Sequence, residues 1–234
     1  KAETAKEVPA LTRQRIRVEA KLVGREPKAL EAAIARSAAA KLDAAVELAV
    51  DVLRGPGKAV ILTNRHKVVP RVLSTLKKAV GRMPKLQTFC TSTAKFTAAL
   101  DVPERRKVCD AYFKAEDPAV LVATLDCISE SIDLQRTDAA IYMALPFTPR
   151  QVEQSEGRFS RLGGDRACVV YYLIAVGTVD EEIEEMLLSK LTDTEDLRTT
   201  TSGGVADVFR SGVPDEAAIR AGLDTYLKTV RVAS

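Results

Sequence analysis

After a Gly55-Pro56-Gly57 stop, the chain alternates short aliphatic runs with amphipathic stretches, and few folds accommodate that alternation. Residues 58–63 (KAVILT), 119–124 (AVLVAT), 139–144 and 167–175 (ACVVYYLIA) are continuous apolar runs, as strands covered on both faces are. Residues 86–90 are a further strand candidate. Between the runs, residues 68–80, 103–114, 150–161 and 180–191 read as helices, the last with acids in its first turn, where a helix dipole favours them. Strands alternating with helices of this length predict an α/β fold: a mostly parallel sheet with helices on both faces.

Both ends read as helical additions. Residues 1–10 are a polar lead, and residues 11–54 read as two helices broken near Gly24 and Pro27. The second, over 28–54, places Leu42, Val46, Ala49, Val50 and Leu53 at helical spacing before the glycine stop. Residues 199–204 (TTTSGG) read as a hinge and 214–230 as a final amphipathic helix. A 46% hydrophobic content in 234 residues supplies a real core and excludes a disordered charged tail. No internal repeat is present.

Four cysteines, at 90, 109, 127 and 168, are too scattered to pair as zinc ligands, and His66 stands alone, so no metal site is expected. Free thiols in a reducing cytoplasm are the expectation. Without a signal peptide or an apolar run of membrane-spanning length, no membrane association is expected. The chain opens Lys-Ala-Glu-Thr without an initiator Met, which points to a piece of something longer.

The phosphate-binding signatures of nucleotide enzymes are missing. Gly57-Lys58 precedes its strand and is followed by Ala59, so it is no P-loop, and no Gly-x-Gly-x-x-Gly follows a strand. Asp180-Glu181-Glu182 could pass for a magnesium-holding acidic box, but an acidic helix start explains it equally. The informative stretch is QSEGRFSRLGG. On a helix, Gln154, Arg158 and Arg161 share one face, with Gly157 between them to admit close approach. Two guanidiniums side by side suit a polyphosphate, because each planar fork binds two oxygens and never titrates. A basic solvated helix face is the plainer alternative.

Context favours the first reading. The run AVLVAT ends at Thr124 and leads through LDCISESIDLQ to the next strand and then to the arginine stretch. In this order the sequence resembles the second RecA-like lobe of superfamily 2 helicases, Snf2-type. QSEGRFSRLGG resembles motif VI at Gln154, Arg158, Arg161 and Gly163. The Thr124–Leu134 segment resembles motif V, and AVILTNRHK resembles motif IV. GTVDEEI from Gly177 to Ile183, with Lys190, is similar to the segment that closes Snf2-type lobes. The resemblance spans roughly residues 41–191. It departs where Ile128, Ser129 and Ser131 replace motif V glycines, where Gly164 replaces a closing Gln, and where the second-strand turn is reduced to Cys90-Thr91-Ser92-Thr93. A divergent member, such as a viral one, is implied.

The resemblance implies a RecA-like lobe over 55–198, a helical extension or linker over 1–54, and a hinge and helix over 199–234. It implies an ATP-dependent DNA helicase or translocase, RNA remaining open. Arg158 and Arg161 would be arginine fingers. Gln154, Gly157 and Asp133 would complete the ATP contacts. Thr124, Ser129, Thr91, Ser92, Arg65 and Lys67 would face nucleic acid. The P-loop, Mg2+ and most ATP contacts would belong to an N-terminal RecA-like lobe of the same protein, so this chain alone is expected to hydrolyse no ATP. A non-catalytic binding module is the alternative.

The net charge of +3 first argues against a nucleic-acid partner, but its distribution reverses that. Residues 54–107 hold thirteen Lys and Arg against two acids, whereas residues 176–200 carry a net of −6. The basic block spans the motif IV stretch, where a salt-sensitive grip on phosphates is expected.

Overall fold

A computed structural model describes residues 11–20, 30–55, 57–81, 102–115, 118–128, 134–160 and 166–195. Its elements are β1 (Leu11–Glu19), α1 (Leu30–Ala40), α2 (Leu42–Arg54), β2 (Lys58–Thr63), α3 (Val69–Val80), α4 (Val102–Lys114), β3 (Ala119–Thr124), α5 (Leu125–Ile128), β4 (Ala139–Tyr142), α6 (Pro149–Glu156), β5 (Cys168–Val176) and α7 (Val179–Glu195). The strands form one sheet in the order β1-β5-β4-β2-β3, and every pairing is parallel.

β2, β3 and β4 are buried along their whole length, as their unbroken aliphatic runs require. Alternation along each strand divides the core in two. Val60, Leu62, Leu121, Ala123, Tyr142 and Tyr172 pack with residues of α1, α4, α6 and α7. Ala59, Ile61, Val120, Val122, Ile141 and Leu173 pack with residues of α2 and α3 on the other face. Gly57 is required at the entry to β2, because a Cβ there would lie 2.8 Å from the Val52 carbonyl. Gly177, at φ 72°, makes the left-handed turn from β5 into α7.

The N-terminal expectation is corrected. Residues 11–19 form an edge strand, not a helix, and pair along their length with β5. Arginine favours helices, but the hidden period is two. Ile16 and Val18 join the α2/α3 core, while Arg13, Arg15 and Arg17 alternate with them and find carboxylates. Arg15 bonds Glu184 at 2.8 Å, and Arg17 bonds Glu181 and Glu184 at 3.1 and 3.3 Å. A helical extension over 1–54 is therefore replaced, within the described residues, by a strand and helices belonging to the sheet.

The single helix expected over 28–54 is also two, α1 and α2, meeting at Lys41. The break carries the chain from one face of the sheet to the other, beside Asp180 just past the carboxyl end of β5. Lys41 is buried there and lies 2.5 Å from Asp180 Oδ2. Ser37 Oγ donates to Asp180 Oδ1, and the Ala175 amide donates to Oδ2 at 2.9 Å. Burial pulls the Lys41 ammonium below its ordinary pKa, against the opposing charge of Asp180. Among the described residues, no helix is long and apolar enough to cross a membrane. The strand expected over 86–90, the lead over 1–10, the hinge and the final helix lie outside the described residues.

Candidate functional site: the arginine turn and the basic loop

α6 begins with a reciprocal cap. Thr148 Oγ1 accepts the Gln151 amide at 3.2 Å, and Gln151 Oε1 accepts the Phe147 amide at 3.0 Å, with Pro149 opening the helix. The helix expected over 150–161 ends at Glu156. Gly157 caps it, and residues 157–160 form a turn. Two contacts stop the helix. Phe159 is drawn fully into the core, and the Arg158 carbonyl accepts the Leu134 amide at 3.1 Å. Gln154 and Gly157 are exposed and Arg158 is half-buried, so Gln154 presents from the helix and Arg158 from the turn. Arg161 lies outside the described residues.

The end of α6 is tied into the sheet. Glu156, its side chain 1% exposed, accepts Arg13 Nε and Nη2, each at 2.9 Å, and the Tyr172 hydroxyl at 2.8 Å. Tyr142, paired in register with Tyr172, donates to Ser155 Oγ at 2.7 Å, and Ser155 donates to the Val152 carbonyl at 3.0 Å. The two tyrosine rings lie 4.7 Å apart. Burial pushes both phenols well above their ordinary pKa, so both stay protonated donors. Burial opposes the charge on Arg13, but the hydrogen bond and charge of Glu156 outweigh it and hold the guanidinium above its ordinary pKa. Leu134 opens the turn that leads into β4, with the Thr137 amide bonded to its carbonyl at 3.1 Å, so the arginine turn sits beside the entry to that strand.

The basic loop stands elsewhere, after the carboxyl end of β2. Thr63 and Thr124 face each other in register at the ends of β2 and β3. Arg65 is half-buried and pairs with Glu31 at 3.2 Å, whereas His66 and Lys67 are exposed. Thr124 is 3% exposed, and its hydroxyl donates to Cys127 Sγ at 3.1 Å, so the hydroxyl is engaged at the start of α5. Lys58, counted in the basic block, is fully buried and caps the end of α4, bonding the carbonyls of Tyr112, Phe113 and Ala115. Ser129, Asp133, Thr91 and Ser92 lie outside the described residues. In the acidic run, Asp180 receives Lys41 and the Ala175 amide, and Glu181 receives the Gly177 amide at 2.8 Å, as a helix start does.

Glu156, Arg13, Tyr142 and Tyr172 escape the sequence reading, since nothing local in the chain pairs residue 13 with residue 156. Asn64 escapes it as well. Its Oδ1 is buried beside the basic loop without a hydrogen-bond partner. Its place directly after a buried strand was the available signal.

The helicase conserved C-terminal domain family matches residues 40–163, more than half of this chain. A SWI/SNF-related matrix-associated actin-dependent regulator of chromatin subfamily A-like protein 1 from Xenopus laevis is 23% identical over 156 residues, covering 67% of this chain and 15% of the frog protein. An uncharacterized ATP-dependent helicase, YqhH, from Bacillus subtilis is 38% identical over 72 residues, covering 31% of this chain and 13% of that protein. The chain therefore corresponds to a small part of the length of these relatives. The C-terminal part of the Fun30 ATPase domain has the same fold, with a TM-score of 0.56 at 15% identity over 80% of this chain and 52% of that one.

Proposed function

The chain belongs to the helicase conserved C-terminal domain family, as a Snf2-like, RecA-type lobe of superfamily 2, and we propose that it is the second lobe of an ATP-dependent DNA helicase or translocase. The observation that carries this reading is the arginine turn itself. Arg158 is held at a fixed place by buried Phe159 and by the amide of Leu134, the residue that follows Asp133 in the chain. The groups offered there are nitrogen donors, the Gln154 amide and the Arg158 guanidinium, while the carboxylate of Glu156 is turned inward onto Arg13. That donor set fits phosphate oxygens.

In this reading ATP, with Mg2+, supplies the phosphoanhydride to be cleaved, and both are held mainly by a P-loop lobe of the same protein. Arg158 and Arg161 stabilise charge on the transferring phosphoryl group, and Gln154, Gly157 and Asp133 order them around it. The basic loop holds the nucleic-acid backbone through Arg65 and Lys67, and Ser129, Thr91, Ser92 and Thr124 contribute further contacts to it. Arg158, beside the entry to β4, and Lys67, after the carboxyl end of β2, stand apart on the lobe, so nucleotide and strand can be engaged together and coupled by lobe closure.

A second reading, a non-catalytic binding module, is favoured by one observation: the Thr124 hydroxyl faces Cys127. ATPase assays separate the two. The full-length protein is expected to hydrolyse ATP faster with DNA, while this chain alone does not hydrolyse it. Turnover by the isolated chain overturns the two-lobe reading, and stimulation by RNA alone replaces DNA as the substrate. ATPase activity that survives both Arg158→Ala and Arg161→Ala selects the binding module.

A further inference from the structure

We propose that Glu156, clamped between Arg13 of the edge strand and Tyr172 of β5, is a positioning residue that sets where Arg158 points; this rests on the reading of Arg158 as a nucleotide-facing arginine. Three segments far apart in sequence converge on one carboxylate. Arg13 meets it with a two-pronged fork, both bonds at 2.9 Å, and the Tyr172 hydroxyl adds a third at 2.8 Å. A fork of this kind fixes the carboxylate plane as well as its distance. With its side chain 1% exposed, the carboxylate has no water to fall back on if a partner is lost.

The same residue is the backbone hub of the turn. The Glu156 carbonyl accepts the amides of Phe159 at 2.9 Å and Ser160 at 3.3 Å, the two residues that follow Arg158. Any rotation of Glu156 therefore carries the turn with it. The Leu134 amide, on the Arg158 carbonyl, reports whether that has happened. β1 has a role here beyond completing the sheet, because the strand that supplies Arg13 also steers the arginine turn. Transition-state contacts tolerate little displacement: a shift of about 1 Å can cost roughly a hundredfold in rate.

Two mild variants test this in the full-length protein. Glu156→Gln keeps the shape but loses the charge that holds the fork. Tyr172→Phe keeps the ring beside Tyr142 and removes the hydroxyl that donates to Glu156. Each is expected to lower kcat for ATP about five- to twentyfold while KM for ATP changes less than threefold, the pattern of an interaction realised in the transition state. Hydrogen exchange at the Leu134 amide is expected to quicken in both variants, while β2 and β3 amides keep their protection. Unchanged kcat with a slow Leu134 amide overturns the proposal. Exchange that quickens throughout the sheet also overturns it, because the clamp would then serve folding only. If Arg158→Ala leaves ATPase activity intact, the nucleotide reading fails separately, and the Leu134 amide still decides whether the clamp sets the turn.

Discussion

The Leu134 amide donates to the carbonyl of Arg158 across 3.1 Å, joining the segment that follows Asp133 to the arginine turn. That bond takes the place of the one a continuing helix would make. It is why Arg158 leaves α6 and stands in a turn backed by buried Phe159. A turn fixed from behind holds the half-buried Arg158 side chain in one direction, which a charge-stabilising group needs.

Asp180 is a structural anion, so its loss should destabilise the fold. Asp180→Ala leaves the Lys41 ammonium buried without its partner, and unfolding free energy in urea should fall by about 3–5 kcal/mol. Adding Lys41→Met to that variant should recover part of the loss. Magnesium should leave the midpoint of the parent chain unchanged. A midpoint that rises with magnesium would restore the acidic-box reading.

Two thiols should be silent until the fold opens. Burial pushes Cys109 and Cys168 from 9.0 up to about 12, so their thiolate fraction at pH 8 is negligible. Mass mapping after brief alkylation should find both unlabelled in the native state and labelled in urea. The folded-state pKa is raised, so the folded state holds these protons more tightly than the unfolded state. Their contribution is complete below pH 9 and is lost as pH rises towards about 12. Stability that climbs over this window in the native chain, but not in a Cys109→Ala/Cys168→Ala variant, contradicts the assignment.

Basic residues of the block should differ sharply in their effect on DNA. Lys67 is exposed on the loop after β2, whereas Lys58 is fully buried under the end of α4. Lys67→Glu should weaken binding across sequences and lower the salt slope by about one. Lys58→Met should leave the slope unchanged while destabilising the fold by about 1.5–3 kcal/mol, through lost bonds from a charged donor to carbonyls. Filter binding over a salt series, with urea unfolding beside it, reads both. Equal slopes for Lys67→Glu and the parent would remove the basic loop from the interface.

Where burial was continuous, the sequence was easy to read. KAVILT and AVLVAT mark β2 and β3 to the residue, because central parallel strands need apolar side chains on both faces. The edge strand was not legible: three of its nine residues are arginines whose carboxylate partners lie far along the chain. The end of α6 was hidden for a related reason. Helical spacing extends through Arg161, and only the long-range Leu134 bond and the burial of Phe159 stop it. Arg158 itself was recognisable from the order of its neighbours, whereas Glu156 and Tyr172 take their meaning from the folded sheet alone.

The most direct measurement is steady-state ATP hydrolysis by the full-length protein carrying Arg158→Ala, in the presence of DNA. Loss of an arginine finger predicts a fall in kcat of about a thousandfold or more, with DNA affinity unchanged and the fold intact by urea unfolding. A kcat within tenfold of the parent would contradict the assignment of the arginine turn to the nucleotide.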